Sequence, residues 1–159
     1  MKKCILVLLI SGLTTLSVGC SNAEFEFPKG TQGQELSILR SINVGPSGLF
    51  EAKGIHLIRS VEEYQLLCEG QNMEAGTTDL ATVNFATESV VIAARGMCDT
   101  EGYWIAIRGL ALDGDNLQVF SESGSPKGEM AYMAITHPRH AVVVPKLAES
   151  VNATAIELE

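Results

Sequence analysis

The sequence predicts a mainly β domain, built as an antiparallel sheet, sandwich or partial barrel with one short helix packed on it. Three observations carry that prediction. From residue 83 onward, apolar residues fall in short runs separated by turn spellings. A stretch beginning at Ser60 has both helical spacing and a helix-start signal. A chain of 159 residues with 46% hydrophobic and 19% charged residues fits one folded core rather than a disordered polymer. The net charge is −8 and no basic cluster exists beyond Lys2-Lys3, which excludes a phosphate-tracking surface; nucleic acid is not an expected partner.

In chain order, residues 36–42 carry Leu36, Ile38 and Ile42 at strand spacing and end at Gly45-Pro46-Ser47-Gly48. A second strand is expected over 54–58. Ser60-Val61-Glu62-Glu63 spells a capping box, in which the Ser60 hydroxyl takes the Glu63 amide and the Glu63 carboxylate returns to the Ser60 amide. The helix it starts places Val61, Tyr64, Leu67 and Cys68 on one face, and Gly70 can stop it. Residues 71–80 read as a loop. The continuous apolar run 89–94 is expected of a strand covered on both faces. Strands over 103–108 and 117–121 flank Asp113-Gly114-Asp115-Asn116, a hairpin spelling. Residues 130–136 and 140–144 are expected to pair across His137-Pro138-Arg139, and 153–158 adds a last strand.

The N-terminus reads as an address. Lys2 and Lys3 precede an unbroken aliphatic run over 5–10, and the apolar segment 5–19 is shorter than the ~20 residues a spanning helix needs. Leu16-Ser17-Val18-Gly19-Cys20 resembles a bacterial lipobox, with Ser17 where leucine is commonest. The resemblance implies a lipoprotein signal peptide over 1–19, lipid attachment at Cys20 through its nucleophilic sulfur, and a chain anchored to the membrane without spanning it. Ser21 after the cysteine implies the outer membrane in a diderm host, on its periplasmic or surface face. Loss of Lys2 and Lys3 takes the net charge from −8 to −10. Residues 20–35, with Pro28, Gly30 and Gly33 and no sustained periodicity, read as a flexible lipidated tether, leaving 36–159 as a single β-rich domain.

Of the four cysteines, Cys4 leaves with the signal and Cys20 is acylated, so Cys68 and Cys98 remain; two thiols in an exported chain read as one disulfide. No catalytic or metal constellation emerges, and no cofactor is expected. His137 and His140 are three apart, but Pro138 forbids the regular helix that would align them as ligands, and His56 is remote. Asp113-Gly114-Asp115-Asn116 fails the calcium-loop spelling at Leu117. Ser47 and Ser123 lack the G-x-S-x-G elbow, and Asp99 with Glu101 reads as a solvated loop as readily as an acid–base pair. The expected class is therefore non-enzymatic. The informative stretch is 95–104, where a strand leads into a loop with two glycines, two acids and a cysteine, leaving through adjacent aromatics. Asp99, Thr100, Glu101, Gly102, Tyr103 and Trp104 form the candidate protein-interaction loop.

Asn84-Phe85, the run Val90-Val91-Ile92-Ala93, Gly96 leading to Thr100-Glu101-Gly102-Tyr103, Ser125-Pro126, and Thr136-His137-Pro138 closing in Val142-Val143-Val144-Pro145-Lys146 resemble the C-terminal domain of the PrcB family. The helix bearing Tyr64 and Leu67 is similar to that family's aromatic-bearing helix, so the resemblance covers 54–146. This chain writes Thr100-Glu101-Gly102-Tyr103 where the family usually has Thr-Gly-Gly-Tyr, and Cys68 and Cys98 are additions. The resemblance implies a membrane-anchored envelope lipoprotein that binds another envelope protein as an accessory or stabilising subunit, an exported protease complex being one candidate. The alternative is a chagasin-like protease inhibitor acting through 96–104. The Thr-x-Gly-Tyr-Trp spelling looks like that inhibitor loop, although the full Asn-Pro-Thr-Thr-Gly-Tyr motif and the Gly-rich and Arg-Pro-Trp loops are missing.

Overall fold

The computed structural model describes residues 25–44, 50–70, 79–126 and 133–158; the expected signal 1–19 and Cys20 lie outside them. In chain order the elements are β1 (Gln34–Glu35), β2 (Arg40–Ile42), β3 (Gly54–Ile58), α1 (Val61–Gly70), β4 (Glu88–Ala94), β5 (Cys98–Thr100), β6 (Trp104–Asp113), β7 (Asn116–Gly124), β8 (Met133–Thr136), β9 (Arg139–Pro145) and β10 (Asn152–Glu157).

The apolar runs of β4 and β9 dictate the layering. Successive side chains of a strand point to opposite faces, so a strand apolar at every position must be covered on both. β4 and β9 are neighbours in an antiparallel sheet of order β2-β9-β4-β3. On one face, Val91, Ala93, Val142 and Val144 pack against Ile105, Ile107, Leu110, Leu117 and Val119 of a second sheet, of order β1-β6-β7-β10. On the other, Val90, Ile92, Ala141 and Val143 meet Tyr64 and Cys68 of α1 together with Val44, Phe50, Leu80 and Val83. The result is three layers with β4 at the centre. β5 and β8 stand apart as a two-stranded ribbon. The fold is mainly β with one helix, as expected; the parallel pairing of β10 with β7 is the departure from an all-antiparallel arrangement.

Local chemistry follows the sequence closely at the helix and the hairpin. The Ser60 hydroxyl accepts the Glu63 amide at 3.2 Å, whereas the Glu63 carboxylate takes the amide of Arg59 rather than that of Ser60, so the box closes one residue early. Tyr64 and Cys68 are buried and Leu67 half-buried, but Val61 is exposed, and the inner face of α1 is narrower than expected. β6 and β7 join at Asp113↔Asn116 through a turn with Gly114 at φ +57°. Their register shifts between Ile107↔Ser121 and Gly109↔Phe120, which inserts Arg108 as a bulge. Beside that bulge the Ile107 amide donates to His140 Nδ1 at 3.0 Å, and Nε2 of the same ring lies 3.1 Å from the Ser41 hydroxyl. His140 thus stitches the two sheets together as a neutral ring, and burial lowers its pKa, with Arg108 adding to the effect.

Three expectations are corrected. The strand expected over 36–42 is ordered as β2 over its last three residues only. The strands expected to pair across His137-Pro138-Arg139 do not: β9 is bonded by β4 along its whole length and by β2 at Ala141, Val142 and Val143, leaving no edge there for β8, which pairs with β5. The flexible tether expected over 20–35 belongs in part to the fold. The Phe25 and Phe27 rings lie 6.0 and 5.2 Å from that of Phe120, which they cover on the outer face of the β6–β7 pair. A Cβ at Gly109 would sit 2.3 Å from the Phe25 ring, so the glycine is the notch that admits it. The Leu36 amide then bonds the Leu110 carbonyl at 2.8 Å, and β1 continues the docking by pairing Gln34 with Leu112 and Glu35 with Ala111.

Candidate interaction site

The segment after β4 is shaped by backbone that only glycine tolerates. Gly96 has φ +89° and is buried, and a Cβ there would meet the Lys53 amide nitrogen at 2.9 Å. Its neighbours tie the chain to the 51–53 segment, with the Met97 amide on the Glu51 carbonyl at 2.9 Å. β5 then pairs with β8 through Cys98↔Thr136 and Thr100↔Met133 across an irregularity, and the Thr136 hydroxyl donates to the Thr100 carbonyl at 2.9 Å. Gly102, at φ +87°, turns the chain into β6 against Pro126, whose Cβ would lie 2.8 Å from an added Cβ.

Arg95 is the post around which the loop is organised. Its guanidinium donates to the Gly124 carbonyl at 2.8 Å and lies 4.6 Å from the centre of the Tyr103 ring. Tyr103 thereby lines a cleft of about 490 Å³ together with Arg95, Met97, Cys98, Asp99 and Ile135. Trp104 points elsewhere. It lies over Gly124, where a Cβ would come within 2.4 Å of the indole nitrogen, and the Arg108 guanidinium sits 6.0 Å from its ring. Arg108 is in turn held by the Glu122 carboxylate at 2.7 Å. The adjacent aromatics therefore serve two faces, and only Tyr103 belongs to the cleft.

On β8, and at Met97 just before β5, the ribbon presents apolar side chains to water. Met97 is 64% exposed, Met133 92% and Ile135 70%. Asp99 is exposed between Met97 and Ile135 on the cleft wall, and Glu101 is exposed at the turn. The sequence marks the loop but not Met133 and Ile135, because His137-Pro138-Arg139 makes β8 look like the hairpin partner of β9. The available signal was the alternation Met133-Ala134-Ile135-Thr136, which puts the two largest side chains on one face.

The expected Cys68–Cys98 bridge is not formed; both are free thiols. Cys68 is buried on the inner face of α1 beside Tyr64, whose phenol donates to the Val44 carbonyl at 2.7 Å. Desolvation, with Cys68 adding to it, raises the Tyr64 pKa and keeps the phenol neutral. The Cys98 thiol faces the Gly96 carbonyl at 3.8 Å on the ribbon. The loop is held by glycine geometry, the Arg95 post and β8 rather than by a covalent tie. Among the described residues no three His, Cys, Asp or Glu side chains are grouped to hold a metal ion. Asp113 and Asp115 flank the β6–β7 turn, and Asp115 accepts from the Ser150 hydroxyl at 2.9 Å.

Residues 89–145 match a family model described as PrcB C-terminal, a span that runs from the second residue of β4 to the last of β9. No curated protein and no solved structure matches the chain. The matched span contains the central strand of the core, the glycine-framed loop, the bulged β6–β7 pair and the ribbon strand β8; this part of the chain is similar to the PrcB C-terminal domain.

Proposed function

We propose that the chain is a non-enzymatic, lipid-anchored envelope protein that serves as an accessory or stabilising subunit, with the β5–β8 ribbon as its partner surface. The observation that carries this reading is the exposure of Met97 and Ile135 on the walls of the Tyr103 cleft, with Met133, the most exposed large hydrophobic among the described residues, on the same strand as Ile135. The PrcB C-terminal-like domain supports an accessory role in a protease complex. Attachment through Cys20, and with it the envelope location, rests on the signal and lipobox spelling of residues 1–20.

The inhibitor reading has less behind it. A chagasin-type loop must stand free to enter a protease cleft, whereas the Thr100 carbonyl is bonded to Thr136, Gly102 lies against Pro126 and Tyr103 is under Arg95. The test is site-specific photocrosslinking in the native envelope. A crosslinker at position 135 captures one defined protein, the same crosslinker at exposed Glu149 does not, and Met97→Asp removes the adduct. Equal capture from both positions would remove the ribbon as the partner surface. Titration of the purified chain against a papain-like protease separates the two readings, since stoichiometric inhibition would favour the inhibitor.

A further inference from the structure

We propose that β8 is an open docking edge that accepts an extended segment of the partner as a third strand, a segment alternating apolar side chains with a lysine or arginine directed at Asp99. This rests on the ribbon being the partner surface proposed above and specifies how it would be used.

The first argument is the incompleteness of the ribbon. β5 and β8 form a two-stranded sheet, and two strands alone are marginal in water. Among the described residues β8 pairs with β5 alone and has no strand on its far side. The second argument is the missing protection. Exposed edges are ordinarily blunted by charge or proline. β1 carries Glu35, β2 carries Arg40 bound to Glu88 at 2.8 Å, and β10 carries Glu157 bound to Lys53 at 2.8 Å. The edge strand β3 has no charge but packs Ile55 and Leu57 into the inter-sheet core. β8 reads Met-Ala-Ile-Thr, with no charge, no proline and its two large side chains in water.

The third argument selects the partner's chemistry. Strand addition gives affinity through the main chain and specificity through alternate side chains. Here the receiving surface offers Met133 and Ile135, with Met97 across the cleft; the thioethers adapt to varied apolar groups. Asp99 is the exposed charge on the cleft wall and makes no hydrogen bond or ion pair among the described residues, while the cleft's cation, Arg95, is committed to the Gly124 carbonyl and the Tyr103 ring. Glu101 adds a second exposed acid at the turn. The local field therefore selects a basic side chain, in keeping with the net charge of −8 of the whole chain.

The experiment uses the purified full chain and a displayed library of random nine-residue peptides. The expected result is enrichment of sequences alternating apolar residues with lysine or arginine. Binding of a selected peptide falls at least tenfold with Ile135→Asp. Asp99→Lys reverses the charge preference toward acidic peptides. Both positions are exposed, so these variants keep the fold. Methylating alternate backbone amides of the peptide abolishes binding in one phase and spares it in the other, which only strand pairing explains. Tolerance of both methylation phases, an unchanged charge preference in Asp99→Lys, or no enrichment overturns the proposal. So does concentration-dependent self-association abolished by Ile135→Asp, because the edge would then belong to a second copy. A protein crosslinked from position 135 that fails these peptide tests leaves the accessory role standing and removes the strand mode; absence of that adduct removes both.

Discussion

The β4–β9 pair and the β8 strand of the β5–β8 ribbon both carry apolar side chains in antiparallel pairing, yet the chain treats them oppositely. Val90, Val91, Ile92, Val142, Val143 and Val144 are fully buried, enclosed by a helix layer on one side and a second sheet on the other. Met133 and Ile135, only a few residues before β9, stand in water. Apolar sequence is thus spent on cohesion in one place and left exposed in the other, and what separates the two cases is coverage by other elements rather than composition. Burial of a fully enclosed aliphatic side chain contributes about 1.5–3 kcal/mol; an exposed one contributes almost nothing until a partner covers it.

That contrast can be broken first at the core. Leu117→Ala, at a fully buried position between the sheets, is expected to cost about 2–5 kcal/mol in denaturant unfolding, while Ile135→Asp at the ribbon stays within about 0.5 kcal/mol of wild type. A comparable loss at both positions would mean the ribbon is part of the cooperative core. Next, Gly109→Ala forces a methyl group into the Phe25 ring and is expected to cost about 1–3 kcal/mol. Its signature is faster tryptic cleavage at Lys29, with the sheet core intact; unchanged cleavage would mean the strap is held without the aromatic pair.

Protonation comes third. His140 accepts the Ile107 amide only when neutral, and burial lowers the pKa of both His140 and His56. Their folded-state values lie below the ordinary 6.5, so the unfolded chain binds more protons. Their contribution is fully present above pH 6.5 and is lost as the pH falls through the folded values. Glu88 and Glu157, whose pKa values are lowered by Arg40 and Lys53 respectively, enter only at lower pH, below the ordinary 4.5. Unfolding midpoints should therefore decline between pH 6.5 and 5 and be level from 7 to 8; a flat profile down to pH 5 would remove the histidine stitch. The smallest effect concerns the thiols. With Cys68 and Cys98 unbonded, reductant leaves the unfolding midpoint unchanged, and a maleimide labels Cys98 in the folded protein and Cys68 only after denaturation. A midpoint lowered by reductant would restore the bridge.

The sequence was most legible where local rules and tertiary structure agreed. Residues 89–94 announced a doubly covered strand because no other environment suits six consecutive apolar or small residues. Ser60 marked the helix start, and Asp113-Gly114-Asp115-Asn116 the hairpin, because both are short-range chemistry. What was not legible depends on competition between distant segments. His137-Pro138 looks like a turn between partners, but β9 is taken by β2 and β4, drawn from residues around 40 and 90. Parallel β10 pairs with β7 from over thirty residues away. Phe25 and Phe27 have no periodicity to betray them; they matter because a bulge and a glycine some eighty residues later open a notch of the right shape. At the site, the loop was readable from its glycines and aromatics, whereas the exposed face of β8, Met133 and Ile135, was not, because exposure is a property of what fails to cover a strand.

The aromatic strap also sets a mechanical scale. Four residues lie between Cys20 and Phe25, and the five extended steps from one to the other reach at most about 18 Å. Were Cys20 to carry the proposed lipid, the domain would ride on a short mooring rather than a long line: the face bearing Phe25, Gly109 and Phe120 would stay close to the headgroups, its height and tilt narrowly bounded. A partner would then have to meet it within that shallow zone, and peeling the strap from its notch is the motion that would let the domain reach farther.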